Sequence, residues 1–261
     1  MQPQADHPPL YTMNPTERFS ARAETYAKYR PSYPDSAIAA ILADCEPNSS
    51  FLAADIGAGT GISARLLADR GARVLAIEPN AAMRAAAAPH LRVEFRSGTA
   101  EATQLLDQSV NLVTCFQAFH WFNPEPALAE FHRILKPAGR LAIAWNHRDR
   151  TDSFTAEYSQ ILKHASKHHP AEKRTRRRAS ESLPASPHFI GVHHQVFRHQ
   201  QILDLDGLIG RTLSASYIPD SGPELESVLV ELRTLHQKWA DADQQVYLTY
   251  RTDLYLAERV G

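Results

Sequence analysis

The residues of this chain most able to bind a ligand lie together after its first long apolar run. Asp55 precedes three glycines in alternate positions, Gly57, Gly59 and Gly61. The apolar residues before them and the helical pattern after them predict a strand, a turn and a helix, whose N-terminus presents backbone N–H groups to a ligand. Glycine lets the backbone turn tightly and lets a ligand approach where a Cβ would collide. An ordinary βα turn would look the same, so the neighbouring residues decide the interpretation.

A second acid follows the next apolar run, about twenty residues further on. Glu78 stands at the predicted end of that strand, where a carboxylate can accept hydrogen bonds from both hydroxyls of a ribose. A dinucleotide fingerprint, G-x-G-x-x-G, would place its third glycine where Ile62 stands. The departure disfavours an NAD site, and Asp55 indicates a ligand with an amino group rather than a pyrophosphate.

The predicted fourth strand, 110–116, ends in an aromatic segment, Gln117-Ala-Phe-His-Trp-Phe122. Three aromatic rings and a histidine at a strand end would be a costly apolar exposure unless they lined a pocket. His120 is a candidate general base or hydrogen-bond donor, and a structural histidine is the alternative. Trp121 is a candidate wall of the pocket.

These candidate residues require a sheet that brings strand ends together. Helical stretches are expected between five apolar runs, at 51–56, 73–77, 92–96, 110–116 and 140–146. This alternation predicts a parallel sheet with helices on both faces. Ligands of such sheets bind beyond the carboxyl ends of the strands, which is where the glycine turn, Glu78 and the aromatic segment lie.

These motifs resemble those of a known family. Asp55, the GxGxG turn and Glu78 resemble motifs I and II of the class I S-adenosylmethionine (SAM)-dependent methyltransferases. The segment QAFHWFNPEPALAEFHRILKPAGRLAIAWNHRD resembles type 11-like methyltransferases related to those acting on trans-aconitate and in quinone biosynthesis. It departs from them at Asn123, where an acid is common, and at Ala138, where a glycine is usual. We expect Asn123 to cap the next helix and Gly139 to supply the left-handed residue at its end.

The resemblance implies a fold and a division of the chain. The fold would be α/β, a Rossmann-like doubly wound seven-stranded sheet of order 3-2-1-4-5-7-6 with the last strand antiparallel. The divisions are a disordered tail (1–13), N-terminal lid helices (14–48), a SAM-binding core (49–150), a polar variable or cap segment (151–187) and C-terminal strands with inserted helices (188–261). The lid is suggested by Phe19, Tyr26, Tyr29 and Arg30 at near-helical spacing before two prolines.

The resemblance also implies a cofactor and its contacts. The cofactor would be SAM, with S-adenosylhomocysteine (SAH) as product, and the reaction methyl transfer to a small-molecule carboxylate, hydroxyl or carbon. Expected cofactor-binding residues are Asp55, Gly57, Ala58, Gly59, Gly61, Glu78, Pro79, Thr99, Ala100, Glu101, Gln117, Tyr26 and Arg30. Expected catalytic residues are His120, Arg30 and Trp121, and Arg30, His147 and Arg148 could neutralise a carboxylate acceptor. The alternatives are a non-catalytic SAM-binding protein, an NAD-binding oxidoreductase and a tRNA methyltransferase.

Composition limits the partners. The chain has 261 residues, 43% hydrophobic and 22% charged, with a formal net charge of −1, so no overall charge attracts nucleic acid or an anionic membrane. The basic run 173–178 lacks interleaved aromatic residues, which favours a solvated segment over RNA binding. His193 and His194 would point to opposite faces of a strand, so we expect no metal site. We expect a cytoplasmic protein, because no apolar run approaches the ~20 residues of a membrane helix and the N-terminus lacks a signal-peptide pattern. We also expect a monomer or a homodimer.

Overall fold

A computed structural model describes residues 22–45, 50–166 and 181–261 of the protein. The predicted tail 1–13, Phe19 of the lid motif and the basic run 173–178 lie outside the described residues.

Seven strands form one sheet in the order β3-β2-β1-β4-β5-β7-β6. The strands are β1 Leu52–Ile56, β2 Arg73–Ile77, β3 Val93–Arg96, β4 Val110–Phe116, β5 Leu135–Arg148, β6 Phe189–Leu203 and β7 Val246–Arg259. β1 to β5 pair in parallel, whereas β7 pairs antiparallel with both β5 and β6. The predicted fold class, strand order and antiparallel last strand are confirmed.

Helices cover both faces of the sheet. They are α1 Ala23–Tyr29, α2 Asp35–Ile41, α3 Ile62–Asp69, α4 Ala81–Ala85, α5 Pro124–Ile134, α6 Ser153–Ala165, α7 Leu205–Leu213 and α8 Pro223–Trp239. One apolar core lies between the sheet and α5, and a second lies between the sheet and α2 and α3. The central strands β1 and β4 are apolar along nearly their whole length because both of their faces are buried.

The expected alternation of strand and helix fails between β3 and β4. Residues 97–109 contain no helix. Side chains of α5 hold this loop instead: Thr103 donates from its N–H and its hydroxyl to the buried Glu130 carboxylate, at 2.8 and 2.5 Å. Arg133 donates to the same carboxylate and to the Leu105 carbonyl. These partners lie far along the chain, which the local pattern could not show.

Both ends of α5 differ from expectation. Asn123 precedes Pro124 at the N-terminus, but its side chain makes no capping hydrogen bond; its backbone N–H donates to Glu101 Oε1 at 2.9 Å. Beyond the other end, Ala138 rather than Gly139 adopts the left-handed backbone, with φ of 57°. Gly139 is needed for space, because a Cβ there would lie 2.8 Å from the carbonyl oxygen of Lys136.

The helix α1 packs on α7. With α6 and α8, α7 belongs to a third apolar cluster, which also includes the ends of β6 and β7. The contact is close: a Cβ on Gly210 would lie 2.4 Å from the Tyr29 ring. The Arg22 guanidinium donates to the carbonyls of Leu213, Ala215 and Ile218. α1 is thereby fixed to the end of α7. In the part of the chain that the structure describes, no helix is long and apolar enough to cross a bilayer.

Candidate functional site

The glycine turn joins β1 to α3 and requires glycine for two reasons. Gly57, Gly59 and Gly61 all have positive φ, at 68°, 58° and 73°, a conformation that side chains with a Cβ disfavour. Space is also limited, since a Cβ on Gly57 would lie 2.6 Å from Ala118 and one on Gly61 would lie 2.7 Å from the Phe95 ring. Gly61 therefore packs the helix start against β3, as the third glycine of a dinucleotide turn would.

Glu78 lies at the end of β2 with its carboxylate next to the turn. Its Oε2 accepts from the Gly59 N–H and its Oε1 from the Asn80 N–H, both at 2.9 Å. Burial raises the pKa of Glu78 above its ordinary value, although these two hydrogen bonds oppose the rise. Two backbone donors thus orient the carboxylate.

A cavity of about 420 Å³ lies at this edge of the sheet, within the size range of small-molecule sites. It brings together ten of the sequence-predicted residues: Tyr26, Gly57, Gly59, Glu78, Pro79, Thr99, Ala100, Glu101, Gln117 and Trp121. Five further lining residues were not among the predicted set: Met83, Phe116, Ala118, Phe122 and Asn123. The aromatic segment signalled Phe122. Met83, in α4, carried no signal in the sequence.

A second cavity of about 50 Å³ adjoins the first and shares five lining residues with it: Tyr26, Gly57, Gly59, Phe116 and Gln117. Two more predicted residues, Ala58 and Arg30, line this second cavity. Arg211 and Tyr250 also line it. They come from α7 and β7, far from any motif, and no pattern in the sequence indicated them.

Asp55 lies beneath the glycine turn and lines neither cavity. It is fully buried, and its two carboxylate oxygens accept hydrogen bonds from Thr114 Oγ1 at 2.8 Å and Ser63 Oγ at 2.6 Å. Burial raises the pKa of Asp55 to about 6, although both hydroxyls oppose the rise. The structure thus gives Asp55 a place that ties the turn to α3 and β4, instead of the expected direct contact with a ligand amino group. Gly61 likewise lies outside both linings.

His120 also lies outside both cavity linings. It is buried in a 3₁₀ turn, 119–121, and its Nδ1 accepts from the Trp145 indole N–H at 3.3 Å. A general base must reach the proton that it removes. This placement favours the structural alternative for His120 over the catalytic one.

His147 and Arg148, the other candidates for binding an acceptor carboxylate, contact different residues. His147 Nε2 lies 3.6 Å from a carboxylate oxygen of the buried Asp253. Arg148 Nη1 donates to the Tyr217 hydroxyl at 3.3 Å. Neither residue lines the two cavities. Of the three candidates, only Arg30 reaches a cavity wall.

The chain resembles known proteins over this region. Residues 54–143 match the family model described as a methyltransferase domain. An uncharacterized methyltransferase from Mycobacterium bovis is 37% identical over 147 residues, which cover 55% of this chain and 58% of the relative. A ubiquinone/menaquinone biosynthesis C-methyltransferase from Rubrivivax gelatinosus is 39% identical over 89 residues, 33% of this chain and 36% of that protein. The chain therefore spans less than two thirds of the length of either relative.

A solved structure shares the fold over most of the chain. It is a type II methyltransferase candidate from Anaeromyxobacter dehalogenans, with a TM-score of 0.65 and 22% identity, covering 88% of this chain and 98% of that chain. The strand order, the glycine turn with Glu78 and the matched domain agree with one another. Residues 54–143 thus match a methyltransferase domain, and the chain shares its fold with that solved methyltransferase candidate.

Proposed function

We propose that this protein binds SAM in the 420 Å³ cavity and transfers its methyl group to a small-molecule acceptor. The observation that carries the proposal is Glu78, held by two backbone N–H groups at a cavity wall that also contains the glycine turn. SAM supplies a methyl group already activated on a sulfonium, so the protein needs chiefly to bind, align and exclude water.

The residues present fit this cofactor. Glu78 offers acceptors for the two ribose hydroxyls. Such charge-assisted hydrogen bonds contribute roughly 1.5–3 kcal/mol each. The loop Thr99–Glu101 and the ring of Trp121 offer backbone groups and an apolar face to an adenine. The buried Thr60 hydroxyl, on the second cavity, has no hydrogen-bond partner among the described residues, and with Gln117 it offers a polar contact for the methionine end.

The lid and the aromatic segment would exclude water. Tyr26 of α1 lines both cavities next to Gly59 of the glycine turn, and Phe122 and Trp121 form an apolar wall of the larger cavity. Among the residues that the structure describes, no histidine lines either cavity, which supports an acceptor that needs no general base from a histidine.

Calorimetric titration with SAH tests the cofactor site. Wild-type protein should bind SAH, and Glu78→Ala should weaken binding at least tenfold because both ribose acceptors are lost. Glu94→Gln, on the neighbouring strand β3 and exposed, is the matched control and should bind like wild type. Equal affinity of wild type and Glu78→Ala would contradict the assignment.

Two alternatives are separated by simple measurements. At 100 times its dissociation constant a ligand stabilises by about 2.7 kcal/mol, so a melting shift with SAH and none with NAD is expected; the reverse would favour an oxidoreductase. A SAM-binding protein without activity would show the SAH shift but release no SAH from SAM with any acceptor. RNA binding through the run 173–178 is the less favoured alternative, and a salt titration with tRNA should show no salt-dependent binding.

A further inference from the structure

One edge of the sheet is a long strand that pairs on one side only. β6 pairs with β7, and among the residues that the structure describes no strand lies on its other side. The pairing with β7 is regular from His193 to Leu203, and a bulge interrupts it only between Ile190 and His193. Along this regular stretch, the backbone N–H and C=O groups that point away from β7 can therefore pair with a further strand.

This edge lacks most of the features that keep edge strands of different molecules apart. Natural edge strands are usually short, or carry lysine, proline or inward-pointing charges. Residues 193–203 contain no lysine, proline, aspartate or glutamate. Their one arginine, Arg198, forms an ion pair with Asp149 of its own chain, at 3.2 Å. With a formal net charge of −1, two copies of the chain repel each other only weakly.

The exposed side chains of this stretch are complementary to their own reversed order. One face of the strand carries Val196, Arg198, Gln200 and Ile202, all of them exposed, because alternate residues of a strand share a face. Antiparallel pairing of two copies about a two-fold axis perpendicular to the sheet is isologous, so each contact occurs twice. In the register centred on His199, Val196 lies opposite Ile202 of the second copy. Arg198 then lies opposite Gln200.

Other registers match these side chains less well. Within 193–203, the register centred on His199 is the one that pairs the two exposed apolar side chains, Val196 (47% exposed) and Ile202 (57%), with each other. Centring the pairing on Arg198 would place two arginines opposite each other, which is unfavourable. Tyr247 of β7 is the pairing partner of Ile202 and is also exposed, so it extends the apolar contact by one strand.

We propose that this protein forms a homodimer in which β6 pairs antiparallel with β6 of a second copy, centred on His199, so that the two sheets become one. The backbone ladder supplies the attraction, and the apolar pairs select the register. Gln201, on the other face of β6, donates to the Tyr29 carbonyl of α1 at 3.0 Å. Both copies of α1 would therefore lie on the same face of the joined sheet, near the two-fold axis. Such pairing does not depend on the methyl transfer proposed above.

Sedimentation velocity of the full chain tests the assembly. Wild type should sediment as a dimer at roughly 100 μM, where any dimer with a micromolar dissociation constant forms. Val196→Lys, which adds a charge to the edge, should raise the dissociation constant of the dimer at least tenfold. Val230→Lys is the matched control, because Val230 is an exposed valine of α8, and it should leave the constant within threefold of wild type.

Disulfide trapping tests the register. Opposite Cα atoms of antiparallel strands lie about 4.5–5.5 Å apart, within the range that a disulfide spans. A mixture of Val196→Cys and Ile202→Cys should therefore give a covalent dimer under mild oxidation. Each variant alone should not, since copies of one position lie far apart along the ladder. A mixture of Val230→Cys and Ile202→Cys, and oxidised wild type, are the controls and should stay uncrosslinked.

Three results would overturn the proposal. The first is a wild type that sediments as a monomer at roughly 100 μM. The second is a dimer that Val196→Lys, shown by circular dichroism to be folded, does not weaken, because the interface would then lie elsewhere. The third is a mixture of Val196→Cys and Ile202→Cys that gives no more covalent dimer than either variant alone. This last test keeps its force if Val196→Lys does not fold.

Discussion

Asp55 should make the stability of this protein depend on pH in a direction opposite to that of a salt-bridged aspartate. The carboxylate is fully buried and burial raises its pKa from 3.8 to about 6. The folded state therefore holds this proton more tightly than the unfolded chain. Its stabilising contribution is complete below pH 3.8 and is lost as the pH rises through about 6. At about 1.36 kcal/mol for each pH unit, the full loss is about 3 kcal/mol, of which about 2 kcal/mol falls between roughly pH 4.5 and 7.5.

Urea unfolding of wild type and Asp55→Asn, followed by tryptophan fluorescence at these two pH values, measures the effect. Asparagine does not titrate, so the difference in free energy of unfolding between the two proteins should shift by about 2 kcal/mol in favour of the variant at the higher pH. Any fixed cost of turning one hydroxyl, Ser63 or Thr114, toward the new amide cancels in this comparison. Asp243→Asn, at an exposed aspartate, should follow wild type. If wild type and Asp55→Asn lose stability in parallel, the buried carboxylate is not the titrating group.

Two other substitutions test backbone strain and the lid. Ala138→Gly should raise the free energy of unfolding, measured in urea, by about 1 kcal/mol, because Ala138 has φ of 57° and glycine relieves that strain. The control Ala129→Gly, inside α5, should lower the free energy of unfolding by a similar amount. Changes of the same sign in the two variants would contradict the argument. Gly210→Ala should weaken SAH binding severalfold in calorimetry, because a Cβ there would lie 2.4 Å from the Tyr29 ring and would displace α1. The control is Asp206→Ala, at an exposed residue of α7, which should bind SAH like wild type. Wild-type affinity in Gly210→Ala would show that the position of α1 does not govern binding.

Local sequence determined the parts of this protein that depend on neighbouring residues. Gly57, Gly59 and Gly61 permit the left-handed backbone that a tight turn needs, and the apolar run before them indicates a buried strand. Glu78 follows the next strand, so parallel pairing alone brings it to the same edge of the sheet. The strand order was predicted from the family resemblance and not from hydrophobic periodicity. It agrees with the structure because the matched motifs occupy the same strand ends.

Tertiary structure decided what distant segments do to one another. His120 faces Trp145 and Asp55 faces Ser63 and Thr114, contacts that the motifs did not specify. Residues 97–109 form no helix, and Glu130 and Arg133 of α5 hydrogen-bond to Thr103 and Leu105 of this loop. Arg211 and Tyr250 reach the second cavity from α7 and β7, and in the sequence they look like ordinary residues of a helix and a strand. Packing acts through space. The type and spacing of residues along the chain therefore predicted the glycine turn and Glu78, whereas only the packing of α7 beside α1 and β7 placed Arg211 and Tyr250 at the second cavity.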